Sequence, residues 1–462
     1  MLEKYFNLKE HGTTVKTEIM AGITTFFTMA YIIFINPNML ATGADIVAAG
    51  SYQQVFNGVF FATCISAFIG TILMGLYAKI PFAQAPGMGL NAFFAFTVMA
   101  GYGFGYSQTL GIVLISGLLF IAITLFGLRE AIVEAIPTNI KIAISAGIGL
   151  FLAFLGLQSA GIIVNDDVVL VDLVDFSKVG DPAVNAAILS IIGLFIISIL
   201  YTRKIKGSIL IGIVATTIIG IPMGVTQIPT SLSFNFGAQA ADFVDVSLFS
   251  CFEGIAHLFA GRGVMESIFM VVMLVISFSL VDMFDTIGTL LGTAKKADLL
   301  DENGNMPGMK KALMCDAIAT TAGAMLGTST VTTYVESSAG IGEGGKTGLT
   351  SVTTAILFLV ALICAPIVGI IPAAATAPAL IFVGALMISS IKDIDWSDMG
   401  DAVCAFLTIA MMPLSYSIAN GIAFGLIAHV VIKLCVGKAR EVKPLTVVLA
   451  LLFILRFFTM AM

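Results

Sequence analysis

The chain has 462 residues, of which 58% are hydrophobic and only 11% charged, against roughly 25% charged in an ordinary soluble domain. A mean hydropathy of +1.05 excludes a large soluble protein with a polar shell. The net charge of −6 comes with no basic stripe or groove-reading motif, so nucleic acid is not an expected partner.

Residues 2–18 are of mixed charge and contain no apolar signal region, so no cleaved leader is expected. From Ile19 onward the chain repeats apolar runs near the ~20 residues that a membrane helix needs. Read between polar or Gly/Pro punctuation, the first seven predicted segments are 18–36, 54–76, 84–98, 107–127, 138–157, 184–201 and 208–224. A polar, Gly-containing stretch, 226–263, separates them from seven more at 265–291, 311–327, 331–341, 349–370, 374–390, 401–416 and 419–436. A further apolar run, 445–461, carries Arg456 and is expected to lie at the interface or re-enter, with a fifteenth span as the alternative.

Lys and Arg orient these spans. With the N-terminus inside, the inner loops and both polar termini hold nearly all the cations, among them Arg129, Arg203, Lys204, Lys206 and Lys346. The outer loops hold only Lys178 and Arg262, and the outer loop 165–181 is acidic. That asymmetry satisfies the positive-inside rule for fourteen spans.

Two segments are abnormal. Segment 84–98 opens Gln84-Ala85-Pro86-Gly87-Met88-Gly89-Leu90-Asn91, and segment 331–341 runs through Val331-Thr332-Thr333-Tyr334-Val335-Glu336-Ser337. Each reads as half extended and half helical, and each is third in its group of seven. An odd repeat length inverts the second copy, and paired interrupted segments in inverted halves point to a binding site near the midplane. The expected fold is therefore all-α and integral to the membrane, with 14 transmembrane segments in two inverted 7-segment repeats.

Charges inside the spans are few. Asp282 and Asp285 lie three apart on one helix face in segment eight, Glu336 marks the break in segment ten, and Asn91 marks the break in segment three. Intramembrane ionisable groups are functional by default, and two carboxylates in apolar surroundings are expected to share a proton. A carboxylate with an amide suits a heterocycle bearing ring N–H donors and acceptors. The amides of Phe93 and Ser337 are expected to add donors, and Phe93, Phe94 and Phe284 to stack on the ligand. Glu18, Asp316 and Glu343 read as interfacial or inter-domain polar residues.

Other chemistry finds less support. The six cysteines (Cys64, Cys251, Cys315, Cys364, Cys404, Cys435) and three histidines (His11, His257, His429) show no metal-ligand spacing. No metal or cofactor is expected beyond a proton as coupling ion, and no nucleophile constellation suggests an enzyme. The run from Gly340 to Thr347 satisfies the P-loop pattern, but it lies at the inner end of a membrane segment with no soluble α/β domain around it. It is read as an inner-surface turn.

At these residues a family resemblance becomes visible. Tyr5-Phe6-Asn7-Leu8, the run from Thr24 to Ile32 with Asn36-Pro37, the run from Ala85 to Ala92, the run from Val281 to Gly288, and the run from Thr332 to Ser337 resemble the AzgA-like purine permeases of the nucleobase–ascorbate, or nucleobase–cation symporter-2, group. The resemblance covers essentially the whole chain. It implies a core domain from 1–128 and 265–371, a gate domain from 129–225 and 372–462, and an extracytoplasmic connection at 226–264. It also implies proton-coupled import of a purine nucleobase (hypoxanthine or guanine before adenine) across the cytoplasmic membrane. Substrate would sit between the third and tenth segments, the core would move against the gate as an elevator, and homodimers would form through the gate. Carried over by position, Asn91, Asp282 and Glu336 match residues implicated in purine recognition, Gly89 a motif glycine and Asp285 a second acid. The alternative is an anion exchanger of the sulfate-transporter type, against which several acids around one cavity argue.

Overall fold

A computed structural model of the chain describes residues 2–126, 136–166, 169–227, 236–259, 264–296, 306, 308–364 and 370–459. Arg129 and Arg262, and the side chains of Phe284, Cys364 and Arg456, lie outside the described residues.

Hydrocarbon offers no partner for a backbone N–H or C=O, so spanning chain must satisfy itself, and helices do so within one segment. After a helical turn at Leu2–Tyr5 the first half runs α1 (Val15–Met29), α2 (Ile32–Val47), α3 (Tyr52–Leu73), β1 (Gln84–Pro86), α4 (Met88–Ala92), α5 (Tyr106–Leu125), α6 (Thr138–Ser159), β2 (Ile163–Asp166), β3 (Leu170–Leu173), α7 (Pro182–Thr202) and α8 (Ser208–Gly220). A π-helical stretch, Phe93–Gly101, continues α4 without a break. Two short helices, α9 (Phe236–Asp242) and α10 (Ser250–Ala256), lead into the second half. That half runs α11 (Val264–Lys296), α12 (Met309–Leu326), β4 (Val331–Thr333), α13 (Ser337–Gly342), α14 (Gly348–Ala361), α15 (Ala373–Ile388), α16 (Met399–Leu414), α17 (Ile418–Cys435) and α18 (Pro444–Thr459). Among the described residues eight helical stretches are long and apolar enough to cross a membrane, and five shorter apolar helices accompany them. The chain is a multi-pass membrane protein.

Two expectations change. The first segment does not end near residue 36. Helix resumes at Ile32 after a break at Ala30 and Tyr31 and continues to Val47. Within this second part Asn36 is buried and donates to Thr63 and Thr328, both at 2.8 Å. The polar connection 226–263 likewise contains packed helix. Asn57 on α3 donates to Asp242 at 2.7 Å, and Gln108 on α5 to the carbonyl of His257 at 2.8 Å. The loop after α6 folds as the antiparallel hairpin β2–β3, with Ile163 opposite Leu173.

The helices sort into two packed groups. One holds α1 to α5, α9, α10, α12 and α14; the other holds α6 to α8 and α15 to α17; α11 touches both. In the second group buried Lys433 on α17 binds Asp401 at 3.1 Å and Glu441 at 3.0 Å, tying the loop before α18 to the bundle. The C-terminal helix α18 packs on α17, with Phe457 against Phe424 and with Phe453 buried.

The interrupted segments meet at the centre of the first group. β1 and β4 pair antiparallel, with Gln84 opposite Thr333, Ala85 opposite Thr332 and Pro86 opposite Val331. Three residues of strand at membrane depth would each strand unpaired backbone groups, and pairing across the two halves satisfies both at once. The predicted half-extended, half-helical form of both segments is what the structure contains.

Candidate functional site

The β1–β4 crossing is held by side chains that reach across the halves. Ser337 Oγ accepts the amide N–H of Ala83 at 3.0 Å, and the Tyr334 amide donates to the carbonyl of Ala83 at 3.0 Å. The Tyr334 hydroxyl donates to the carbonyl of Pro86 at 2.5 Å. Thr320 on α12 finishes the β4 edge: its hydroxyl oxygen accepts the Val331 amide at 3.2 Å and lies 3.1 Å from the Val331 carbonyl oxygen. Only Gly fits at position 87, because a Cβ there would lie 2.5 Å from the Thr332 methyl.

Around this crossing the acids are placed one by one. Glu336 stands at the N-cap position of α13 but makes no cap bond with its side chain. Its carboxylate instead accepts the hydroxyl of Tyr31, which is buried at the break between α1 and α2. Asp285 on α11 is partly buried and is next in sequence to Thr286, whose hydroxyl pairs with Thr332 of β4 at 2.7 Å. Asp282, one turn earlier, is buried and accepts from Thr320 at 3.1 Å.

Asn91 reaches the site from the first half. It is fully buried on α4, and its side-chain oxygen accepts the hydroxyl of Ser329. The structure therefore brings Asn91, Asp282, Asp285, Glu336 and Ser337 around one β1–β4 crossing, with Ser337 serving the backbone.

The other expected site residues lie differently. Phe93 and Phe94 have no accessible surface: the first ring packs edge-on against Phe278 at 4.7 Å, the second against Tyr106 at 6.1 Å. The Phe93 amide is not a free helix terminus, since it bonds to the carbonyls of Gly89 and Leu90. The Ser337 amide is turned to Tyr334 O at 3.2 Å. The half-helix of segment three starts at Met88, five residues before Phe93, the donor that the sequence suggested. Gly89 faces the second helix group, where a Cβ would lie 2.7 Å from Ile148 and 3.6 Å from Ile418.

Two acids sit deeper than expected. Asp316 is fully buried, accepting from Thr286 at 2.6 Å and from Gln84 at 3.4 Å, while Thr286 also pairs with Thr332 at 2.7 Å. It braces the crossing from α12. Glu18 is also fully buried, accepting from the amides of Lys346, Thr347 and Thr350 at 2.9, 3.3 and 3.2 Å and from the Thr350 hydroxyl at 2.6 Å. The P-loop-like turn thus presents its amides to a carboxylate of its own chain. Glu343 in that turn pairs with Lys206 at 2.6 Å, joining the two helix groups. Tyr31 was absent from the expected site, because a tyrosine in an apolar run does not register as polar.

The profile described as "Permease family" (Xan_ur_permease) matches residues 16–424. The chain is 40% identical to the adenine permease AdeP of Escherichia coli, over 99% of this chain and 96% of that one. It is 41% identical to the guanine/hypoxanthine permease PbuO of Bacillus subtilis, over 98% and 99% respectively. In fold it is similar to the transmembrane domain of a cyanobacterial bicarbonate transporter, BicA, with a TM-score of 0.56 at 17% identity, covering 89% of this chain and 97% of that one. It is also similar to murine Slc26a9, with a TM-score of 0.56 at 11% identity, covering 90% and 68%. These neighbours share the inverted-repeat membrane fold.

Proposed function

Since the chain belongs to the Xan_ur_permease family of permeases, we propose that it imports purine nucleobases, with hypoxanthine and guanine ahead of adenine, across the cytoplasmic membrane in symport with protons. It is a transporter and not an enzyme. The observation that supports the substrate reading is the pairing of β1 with β4, which brings the interrupted segment that carries Asn91 against the one that carries Glu336. A purine edge alternates ring N–H donors with carbonyl and ring-nitrogen acceptors. Carboxylates accept from the donors, while the amide of Asn91 and the first amides of α4 donate to the acceptors. The names of AdeP and PbuO support purines as the class.

Asp285 and Glu336 share the transported proton in this reading. Two ionised carboxylates in apolar surroundings repel, and one proton between them removes most of the cost of moving the loaded site. Asp282 positions the β4 edge through Thr320. The first helix group acts as the moving core and the second as the gate, with the N-terminus inside. The thin seam between the groups, crossed at Gly89 and at the Lys206–Glu343 pair, supports an elevator movement.

The test is uptake of radiolabelled hypoxanthine by the purified protein in liposomes under an inward proton gradient. Unlabelled adenine, guanine, uracil and sulfate compete. Gradient-driven uptake blocked by purines and not by sulfate is expected. Competition by sulfate alone would overturn the substrate class, and purine uptake indifferent to the gradient would overturn the coupling.

A further inference from the structure

The transport reading makes no use of a groove along the seam between the helix groups. It lies between α1 and α8, has a volume of about 610 Å³ and is lined by Phe27 across from Lys206, Leu210, Ile211, Val214 and Ile218. Its apolar walls are open to the surroundings: Phe27, Val214 and Ile218 are 47%, 44% and 59% exposed. At membrane depth that exposure is to lipid. The groove is closed towards the protein where α8 begins, because Gly207 lets the backbone come so near that a Cβ would lie 3.2 Å from the carbonyl oxygen of Phe27.

Its length and charge select an occupant. From Lys206 to Ile218 a helix rises about 18 Å, close to the ~15 Å hydrocarbon depth of one leaflet. One acyl chain fits that run. At its end lies Lys206, with Lys204 and Arg203 close by in sequence. The one acid in contact, Glu343, takes a single ion pair with Lys206 at 2.6 Å. An ammonium has three N–H donors, so Lys206 can serve Glu343 and a further anion together.

We propose that this groove is a binding site for one anionic phospholipid from the leaflet that carries the Lys/Arg-rich chain ends. One acyl chain lies along α8 against Phe27, and the phosphate rests on Lys206. Because α1 and α8 belong to different groups, the lipid sits across the seam on which the groups would move. Phosphatidylcholine carries a compensating ammonium beside its phosphate and is the weaker ligand.

The experiment is native mass spectrometry of the full-length protein in detergent, titrated with phosphatidylglycerol or phosphatidylcholine. The wild type is compared with Lys206→Gln and Ala215→Trp, each first confirmed monodisperse by size exclusion. Ala215 lines the groove, and a tryptophan there fills it without touching the charge. A phosphatidylglycerol adduct that survives activation, weakened about fivefold by Lys206→Gln and lost in Ala215→Trp, supports the site. Equal retention of the two lipids, or equal retention by all three proteins, means annular lipid only and overturns it.

Discussion

Glu18 and Thr350 are joined twice, amide to carboxylate at 3.2 Å and hydroxyl to carboxylate at 2.6 Å, so that an acid of α1 caps the first turn of α14. The same carboxylate takes the amides of Lys346 and Thr347. An anion at a helix N-terminus satisfies orphan donors and meets the positive end of the dipole. Glu18→Gln keeps the shape but loses the charge and part of the accepting capacity. It should destabilise the fold by about 1–3 kcal/mol, read as a fall in melting temperature in detergent. Since the cradle is filled from within, fluorescent ATP should show no saturable binding to the wild type; saturable binding would reverse that reading of the turn.

The hydroxyl of Tyr31 donates to the Glu336 carboxylate from another segment. Tyr31→Phe removes a charge-assisted bond worth about 1.5–3 kcal/mol, and should raise the apparent KM for hypoxanthine by about tenfold or more. Folding should be spared, since the ring stays in its buried place. Glu336→Gln should abolish accumulation against a gradient. If Tyr31→Phe leaves both KM and its pH profile untouched, the tyrosine is packing alone.

Gly89 is the closest approach of α4 to the second helix group, 2.7 Å from Ile148 once a Cβ is added. Gly89→Ala overpacks that contact, for which about 1–3 kcal/mol is typical. Transport and the melting temperature should both fall, since the clash is present in the packed structure itself. Ile148→Ala in the same chain should restore most of the rate. A double-mutant cycle without coupling would show that the glycine matters for another reason.

Much of this was legible in the residues because the constraint was local. A Pro-Gly run at 86–87 and a Thr-Thr-Tyr run at 332–334 cannot sit as ordinary membrane helix, so the two breaks, Asn91 and Glu336 could be marked. What could not be read depends on register between distant elements. The pairing of Gln84 with Thr333 and the choice of Glu336 by Tyr31 exist only once both halves fold. The stacking role expected of Phe93 and Phe94 met the same limit: a phenylalanine in an apolar run reads alike whether it faces a cavity or, as here, Phe278 and Tyr106. Asp316 and Glu18 looked peripheral because they stand near segment ends, yet neighbouring elements cover both completely.

The last prediction concerns the Lys206–Glu343 pair, which joins the two helix groups at the ends rich in Lys and Arg. Both side chains are half-exposed, so the pair adds only about 0–1 kcal/mol to stability, and its use lies in the relative position of the groups. If the first group moves against the second, this contact must open in every cycle. Cysteines at both positions, in a chain whose exposed Cys435 has been replaced by serine, should be bridged by a reducible bis-methanethiosulfonate reagent with a spacer as long as the two replaced side chains, since those side chains meet tip to tip at 2.6 Å. Cross-linked protein should lose uptake while still binding purine, and reductant should restore it. A cross-linked transporter that runs at full rate would mean that the groups stay fixed at this end, and substrate would then have to pass by local gating instead of an elevator.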